Sequence, residues 1–409
     1  MRWPVLAALV IAAAPAASSA QTIEWVRQFG TAAQDRAFAV AVNASGVYVA
    51  GATEGTLPGQ RSAGAIDAFV RKYNTNSTEI WTRQFGTAGI DEILAIAADQ
   101  TGVYVAGDTQ GVLEPESGAP QAPHAFVRKY DLDGMELWTR EFGSGRREEV
   151  LAIAAGAGAV YAAGDTTVTV PPFDDAFVVV LGGSDGKARG GHEFGTAAVD
   201  HAAAIAVNAS GVYVAGATQG TLPGQAAAGD SDAFLRKYDL DGNEIWTRQF
   251  GTPASDEILS IALAASELYV AGITSEALAG QSRAGAVDAF LARYDFDGHP
   301  LWTRQFGTSA YDDALAVAIG PQGVFVAGNT AGVLPGQTGS GDYDAFVRTY
   351  DVQGKAGWTQ QFGSSAHDEA LAIATSGSDV YVAGVTEGAL PAQRSNGSSD
   401  AFVVKLRAR

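Results

Sequence analysis

The sequence predicts an all-β protein that folds as a single seven-bladed β-propeller, and three observations carry this prediction. A Phe-Gly pair recurs seven times at intervals of 52 to 57 residues, each repeat holds four short apolar runs, and the chain ends hold complementary parts of one repeat. A long, regular period of this kind is typical of arrays of identical supersecondary units. The repeated Phe residues are Phe29, Phe85, Phe142, Phe194, Phe250, Phe306 and Phe362.

Each repeat of about 56 residues predicts four β-strands, as the segment 91–142 illustrates. Its apolar runs cover residues 93–98, 103–107, 125–130 and 137–142, and Gly, Asp or Pro bounds them. Runs of this length are too short for amphipathic helices and are typical of strands. The first run is rich in Ala, which suits a crowded position near an axis, and the last run carries the Trp and the Phe. Four-stranded antiparallel sheets arranged radially make a propeller.

The two ends of the chain predict how the ring closes. Residues 23–29 contain only the Trp-bearing strand, and the chain ends after residues 400–406, where that strand is missing. We expect residues 22–29 to pair with residues 400–406 as a shared blade, which satisfies the edge hydrogen bonds of both segments. An open solenoid is the alternative, but such arrays need distinct capping repeats at both ends.

The N-terminal segment predicts a secretory signal peptide at residues 1–20, followed by the propeller at residues 21–409. A positively charged start precedes the apolar run 5–17, and the small residues 18–20 suit cleavage by signal peptidase. The apolar run is shorter than the about 20 residues that a transmembrane helix needs. We therefore expect a protein that is secreted or held at the cell surface, without membrane insertion.

The composition narrows the range of partners. The chain has no Cys and carries 45 acidic against 26 basic side chains, a formal net charge of −19. Without Cys there is neither a disulfide nor a thiol nucleophile, so packing alone holds the fold. A strongly negative protein disfavours nucleic acid as a partner. We expect a monomer that binds a protein or a glycan.

Three further motifs recur in order along the chain. They are an acid six residues after the Phe, the segment Val-Tyr-Val-Ala-Gly-x-Thr at residues 47–53, 212–218 and 380–386, and an Asp-Ala-Phe strand start. With these motifs the chain resembles the SBBP family of bacterial β-propeller repeats across residues 22–409. The resemblance implies an exported or surface scaffold and no shared chemistry. The Asp-Ala-Phe starts lie at Asp67, Asp232, Asp288, Asp344 and Asp400.

The acid that opens each first strand is the strongest recurring polar signal. A functional interpretation places a ring of carboxylates near the channel mouth, able to hold Ca²⁺. Recurrence in every repeat favours a structural interpretation, in which each acid caps its own loop or pairs with an Arg such as Arg83 or Arg248. We expect no cofactor, with Ca²⁺ as the alternative, and no metal site. The repeat acids are Asp35, Asp91, Glu148, Asp200, Asp256, Asp312 and Asp368.

The repeat pattern breaks in one region, which is a candidate for a specific site. An Asp-Ala-Phe start loses its Asp to His, two Arg residues enter the next blade-to-blade loop, and the following long loop shrinks. We expect these departures on adjacent blades and on one rim, as a mixed-charge patch. Sequence drift is the competing explanation, and it is supported by the loss of the Trp, where Gly190 stands, in the same repeat. The candidate ligand-binding residues are Glu114, Glu116, His124, Arg146, Arg147, Phe173 and Asp174.

The function that these patterns favour is a binding or interaction module. The loops between blades and the loops between second and third strands are the long ones, and in propellers they share one rim. Binding surfaces of repeat folds usually lie on the face with the longer loops. Two alternatives stay open, a polysaccharide lyase or hydrolase and a cation-stabilised structural protein of the cell surface. No catalytic residue follows from the sequence, because a fold alone does not define chemistry.

Overall fold

The computed structural model describes residues 22–114, 123–143, 145–169 and 172–407, and every regular element within them is a β-strand. The strands form seven four-stranded antiparallel sheets, arranged as the blades of a propeller. The all-β, seven-bladed prediction is therefore confirmed. The predicted signal peptide at residues 1–20 lies outside the described residues. The described part of the chain contains no helix of the length and hydropathy that spanning a membrane would need.

The blades are numbered along the chain, and within blades 1 to 6 the order of strands in space follows their order in sequence. Blade 1 contains β2 (Asp35–Asn43), β3 (Gly46–Thr53), β4 (Asp67–Tyr73) and β5 (Glu79–Phe85). Blade 2 contains β6 (Asp91–Ala98), β7 (Val103–Thr109), β8 (His124–Tyr130) and β9 (Glu136–Phe142). Blade 3 contains β10 (Arg147–Gly156), β11 (Ala159–Thr169), β12 (Pro172–Gly182) and β13 (Ala188–Phe194).

The remaining blades follow the same scheme. Blade 4 contains β14 (Asp200–Asn208), β15 (Gly211–Thr218), β16 (Asp232–Tyr238) and β17 (Glu244–Phe250). Blade 5 contains β18 (Asp256–Leu263), β19 (Glu267–Thr274), β20 (Asp288–Asp295) and β21 (Pro300–Phe306). Blade 6 contains β22 (Ala316–Gly320), β23 (Gly323–Thr330), β24 (Asp344–Tyr350) and β25 (Ala356–Phe362). Blade 7 contains β26 (Asp368–Ser376), β27 (Asp379–Thr386), β28 (Asp400–Arg407) and β1 (Thr22–Phe29).

The first strand of each blade lies nearest the propeller axis. These strands contact one another in order, from β2 through β6, β10, β14, β18 and β22 to β26, and β26 also contacts β2. Their Ala-rich sequences allow this close approach, since a methyl side chain fills little of the space at the axis. The fourth strands, which carry the Trp residues, form the outer edges of the blades.

The fourth strand of blade 7 comes from the beginning of the chain. β1 pairs antiparallel with β28, and the register places Thr22 opposite Arg407 and Phe29 opposite Ala401. An ion pair joins the same strands, with 2.9 Å between Nζ of Lys405 and Oε2 of Glu24. The last blade is thus completed by a strand from the opposite end of the sequence.

The hydrophobic core lies between neighbouring blades, and the repeated Phe residues join them. The ring centroids of Phe85 in blade 1 and Phe126 in blade 2 lie 5.8 Å apart, with the rings inclined at 82°. Phe194 and Phe234 pair in the same way between blades 3 and 4, at 5.7 Å. Edge-to-face pairs of this kind contribute about 0.5–1.5 kcal/mol beyond the area that they bury.

Blade 3 departs from the other blades at its long loop. The sequence predicted a shortened loop over residues 164–175, but most of this segment is paired strand. β11 and β12 continue to Thr169 and from Pro172, and Thr166 lies opposite Asp175. In blade 1 the corresponding strands end at Thr53 and begin at Asp67, with a loop between them. Blade 3 therefore has a hairpin of paired strands where blade 1 has a long loop.

Candidate ligand-binding site

The repeat acids are buried caps of the loops between blades. Asp91 is completely buried, and its Oδ2 accepts hydrogen bonds from the N–H of Thr87 at 2.6 Å and from the Thr87 hydroxyl at 3.0 Å. Burial raises the pKa of Asp91 above its ordinary value, and these hydrogen bonds oppose the rise. Glu148 takes this position in blade 3 and is also buried. The same Thr or Ser contact is made by Asp35, Asp200, Asp256, Asp312 and Asp368.

The Arg of the fourth strand has other partners than these acids. Nε of Arg83 donates to the carbonyl of Gly134 at 2.8 Å, and its guanidinium lies 5.5 Å from the centre of the Trp81 ring. Arg248 donates to Gly298 in the same way at 3.0 Å. Of the two structural interpretations, loop capping is therefore supported, and the Arg, where a blade has one, joins that blade to a turn of the next.

The Gly of the Phe-Gly pair lies between two buried carboxylates. A Cβ atom on Gly86 would lie 2.7 Å from Oδ1 of Asp67 and 2.8 Å from Oδ2 of Asp91. Such distances leave no room for a side chain, so the backbone approaches the carboxylates closely only because the residue is Gly. The most regular marker of the sequence thus reports the junction between blades.

His124 lies inside blade 2 and replaces a structural Asp. In blade 1, Oδ2 of Asp67 accepts a hydrogen bond from Nε2 of Gln84 at 2.7 Å. In blade 2 the ring of His124 meets the carboxylate of Glu141, with 3.0 Å between Nε2 and Oε1, and both side chains are completely buried. In blade 1 the fourth-strand residue is the donor and the third-strand residue is the acceptor. In blade 2 the acid is on the fourth strand, so the third-strand His takes the place of the acceptor. His124 therefore makes a structural contact inside blade 2, and its role in ligand binding stays a prediction.

The predicted mixed-charge patch is divided by radial position. Arg147 on β10 and Asp174 on β12 both lie opposite Thr167, which is on β11 between these two strands. Burial raises the pKa of Asp175, and the positive charge of Arg146 opposes this rise. This effect indicates that Arg146 lies near Asp174 and Asp175. Glu114 instead lies beside the outer strand of blade 2.

The side chains of two predicted residues, Glu116 and Phe173, cannot be placed in this patch from the described part of the chain. Glu116 lies outside the described residues. The backbone of Phe173 pairs with that of Val168 in the hairpin of blade 3. The patch that the structure supports near the axis therefore consists of Arg146, Arg147 and Asp174.

The channel mouth on the long-loop rim carries a group of acids that the sequence analysis did not single out. The second residue of the first strand is Glu92 in blade 2 and Glu149 in blade 3, and the residues opposite them on the second strand are Asp108 and Asp165. We call these four residues the acidic mouth. Parallel bridges such as Ile66 with Ile90 place both kinds of long loop on this same rim.

Asp108 is the most unusual of these acids. It is only 4% exposed, and the nearby positive charge of Arg147 lowers its pKa less than burial raises it. Burial, together with the negative charges of Glu149 and Glu92, raises the pKa of Asp108 to about 7. A nearly buried carboxylate beside two other acids is unfavourable when ionised, so a positively charged group next to it would be stabilising.

Asp165 has a related environment in blade 3. Burial, Glu149 and Asp174 raise its pKa to about 7, although the positive charge of His201 opposes the rise. Burial alone would lower the pKa of His201, but its hydrogen bond to Glu257, 2.6 Å between Nε2 and Oε1, raises it. Arg147 forms an ion pair with Glu149 at the edge of the same group.

The signal that identifies these acids is a comparison of repeats at a single position. The variable residue of Val-x-x-Ala-Gly-x-Thr is Ala52 in blade 1 and Ala217 in blade 4, but it is Asp108 in blade 2 and Asp165 in blade 3. One substitution in each of two repeats is a weak pattern in the sequence. It becomes strong only in the structure, where both Asp residues lie close to Glu149.

A solvent-exposed turn in blade 5 contains the one group of three ligand atoms within 4.8 Å of one another that the described residues hold, from Asp295, Asp297 and His299. The Asp295 carboxylate already accepts hydrogen bonds from the N–H groups of Asp297 and His299 at 3.0 and 2.8 Å. Gly298 has a φ of 77°, as an Asp-rich hairpin turn requires. The geometry is that of an Asp-rich turn.

Fold and site together define a class, a seven-bladed β-propeller with an acidic channel mouth and one irregular blade. No family model matches the chain, so membership of the SBBP family stays a prediction. The regulatory protein FlaEY of Caulobacter vibrioides is 33% identical over 178 residues, which cover 39% of this chain and 19% of that protein. The match thus spans about a fifth of the length of this relative.

Solved structures resemble the chain over most of its length. The WD40 domain of Pan2 from Neurospora crassa has a TM-score of 0.53 at 10% identity, covering 90% of this chain and 88% of the Pan2 domain. The WD40 β-propeller domain of Doa1 has a TM-score of 0.53 at 12% identity, covering 95% of this chain and 97% of the Doa1 domain. At identities this low, the likeness shows the fold alone.

Proposed function

We propose that the protein is an exported binding module that takes a basic segment of a partner protein at the acidic mouth. The observation that carries this proposal is a pair of poorly solvated acids: Asp108 is 4% exposed beside Glu92 and Glu149, and Oδ1 of Asp165 is buried with no hydrogen-bond partner among the described residues. A Lys ammonium or an Arg guanidinium supplies both donors and positive charge, and charge-assisted hydrogen bonds of this kind are the strong ones.

The position of the acidic mouth supports the same function. It lies where the first strands meet the long-loop rim, and concave sites formed by loops on a rigid scaffold are the usual binding surfaces of repeat folds. The net charge of −19 would speed the encounter with a basic partner. The N-terminal segment, with its apolar run and small residues, supports export.

A labelled hexa-arginine peptide tests the proposal by titration at low salt. The double variant Asp108→Asn, Asp165→Asn should bind at least tenfold more weakly than the natural protein. The matched control is Asp133→Asn, Asp297→Asn, which removes two exposed charges from the turns on the opposite rim. An equal loss in both double variants would show attraction by net charge alone and would contradict a defined site.

The titration should also depend on pH in a defined direction. With pKa values raised to about 7, Asp108 and Asp165 gain their charges as pH rises through 7. Because a cationic ligand prefers the ionised carboxylates, affinity should increase from pH 6 to pH 8 in the natural protein. The same pH change should alter the affinity of the Asp108→Asn, Asp165→Asn variant much less.

A second candidate is hydrolysis of a polysaccharide, since one specific observation favours it. Asp165 has a pKa of about 7 and lies near Glu149, and an acid kept protonated beside a second carboxylate is the arrangement that glycosidases use. Incubation with a panel of polysaccharides, followed by a search for new reducing ends, tests this candidate. Loss of any such product in Asp165→Asn is expected if this candidate holds, and unchanged product would remove Asp165 from it.

A further inference from the structure

The Trp of the fourth strand fills a defined niche between neighbouring blades. Trp81 of blade 1 packs against Tyr48, with 6.0 Å between ring centroids, and donates Nε1–H to the carbonyl of Leu132 in blade 2 at 3.2 Å. The Cβ position of Gly134 lies 2.8 Å from the indole ring. The niche of Trp81 therefore has an aromatic wall, a carbonyl acceptor and a Gly that lets the ring approach.

The same niche recurs at other junctions with the same contacts. Trp246 of blade 4 donates to the carbonyl of Phe296 at 3.1 Å, and Trp302 of blade 5 donates to the carbonyl of Val352 at 3.0 Å. Repetition of the geometry shows which chemical group it fits. That group is an indole with its N–H directed at a turn of the next blade.

Between blades 3 and 4 the niche is present, but its Trp is replaced by Gly190. A groove of about 600 Å³ lies there, lined by Tyr161, His192, Tyr238 and Leu240 among others. No atom lies within 4 Å of the position that a Cβ would take at Gly190. The groove has the size of a small-ligand site, and Tyr161 supplies the wall that Tyr48 supplies in blade 1.

The polar groups of the groove lack the partners that they have at the other junctions. Among the described residues, none donates a hydrogen bond to the carbonyls of Leu240 and Gly242, which correspond to those of Leu132 and Gly134. Nε2 of His192 is buried and has no hydrogen-bond partner there. The groove thus keeps its acceptors for an indole N–H and for the cation that follows it.

We propose that this groove binds a Trp side chain of a partner protein, followed two residues later by Arg, as in the Trp-Thr-Arg of the repeat. The indole would stack on Tyr161 and donate to the carbonyl of Leu240. The guanidinium would reach the carbonyl of Gly242 beside the exposed carboxylate of Asp241. The site lies on the short-turn rim and is separate from the acidic mouth.

The test uses a fluorescein-labelled peptide that copies residues 244–249, Glu-Ile-Trp-Thr-Arg-Gln, and the full chain. The natural protein should bind it at least tenfold more tightly than the same peptide with Ala in place of Trp. The variant Gly190→Trp fills the niche from within and should lose at least tenfold in affinity. The control Ile80→Trp adds an indole to an exposed position of β5 and should leave binding unchanged.

Thermal melting of the same variants separates folding from binding. Gly190→Trp should melt at a higher temperature than the natural protein, because it restores the contacts of the other blades. If this variant fails to fold, Leu240→Arg at the exposed edge of the groove replaces it, with the same loss of affinity expected. Full binding by a folded Gly190→Trp or Leu240→Arg variant, equal binding of the Ala peptide, or displacement by oligosaccharides but not by indole would overturn the proposal.

Discussion

Blades 3 and 4 share one topology and are neighbours in the ring, yet blade 3 lacks the Trp and Gln side chains through which the fourth strand of blade 4 makes its contacts. Trp246 and Gln249 of blade 4 correspond to Gly190 and Glu193 of blade 3. Blade 4 also has a long loop where blade 3 has a hairpin. The backbone hydrogen bonds of four strands are therefore enough to keep the shape of a blade, and the repeated side chains add stability on top of it.

The comparison also shows where function is to be sought. Residues that recur in every blade make contacts within the scaffold, as Asp91 and Arg83 do. Positions that depart from the repeat pattern create open space or add charge. In this chain they concentrate in blades 2 and 3. The acidic mouth and the groove beside Gly190 lie at opposite rims of this same irregular region.

Removal of the lock from blade 4 is the largest expected effect. Trp246→Gly deletes an indole that packs on Tyr213, with 6.2 Å between centroids, and donates to Phe296. Loss of a large aromatic side chain from a packed site costs about 3–5 kcal/mol, and we expect the lower end because Trp246 is partly exposed. Urea unfolding measures the change, and a loss below about 1 kcal/mol would contradict the role assigned to the Trp.

Replacement of Gln249 in blade 4 by Glu, the residue found at this position in blade 3, should lower the free energy of unfolding by less. Gln249→Glu places an acid against Asp232, whose Oδ2 now accepts from Nε2 of Gln249 at 2.7 Å. We expect a loss of about 2 kcal/mol at pH 8 from repulsion of two buried carboxylates. Adding Asp232→His, the pairing found in blade 2, should recover most of this loss. A double variant no more stable than Gln249→Glu would contradict the exchange of donor and acceptor.

The acid of the channel mouth gives the smallest effect and a defined pH dependence. The pKa of Asp165 is raised to about 7, so the folded state binds a proton that the unfolded state releases near pH 4. The cost of ionising buried Asp165 therefore lowers the free energy of unfolding progressively as pH rises from 4 to 7, and the whole cost is present above pH 7. The full shift corresponds to about 4 kcal/mol. Because Asp165 is partly exposed and solvent screens its charge, we expect Asp165→Asn to raise the free energy of unfolding by only about 1 kcal/mol at pH 8 and to leave it unchanged at pH 4.

The equivalent change in blade 4 runs in the opposite direction. Ala217 occupies the position of Asp165, and Ala217→Asp should lower stability at pH 8 more than at pH 4. A stability change that is independent of pH in either variant would show that burial of the carboxylate is not its cause.

The sequence could predict the scaffold because its signals are local and repeated. Seven copies of short apolar runs, Phe-Gly pairs and Asp-Ala-Phe starts carry the strand number, and the chain ends indicate their mutual pairing. The structural role of the repeat acids follows from recurrence as well. Strand bounds in the segment 91–142 differ from the prediction by one or two residues, since the polar first residue of a strand, such as Asp91, does not belong to an apolar run.

The site could be predicted only in part, because radial distance from the axis is not encoded locally. Glu114 and Arg147 both follow irregular loops, but one lies beside an outer strand and the other begins an inner strand. Asp108 and Asp165 are single substitutions 57 residues apart, and only the fold brings both of them near Glu149. The partner of His124, Glu141, was available from the sequence, because Gln stands at that position in most of the other repeats.

The pairing of the two chain ends is the claim on which the ring, its rims and both candidate sites depend. The chain has no Cys, so a pair introduced at Thr22 and Arg407, which lie opposite each other and are exposed, reports this pairing without competition. Mild oxidation of Thr22→Cys, Arg407→Cys should give a complete intramolecular disulfide and a higher melting temperature, whereas Thr22→Cys with Asp241→Cys should give none. Two free thiols, or only disulfides between molecules, in the first variant would contradict a ring joined by its first and last strands.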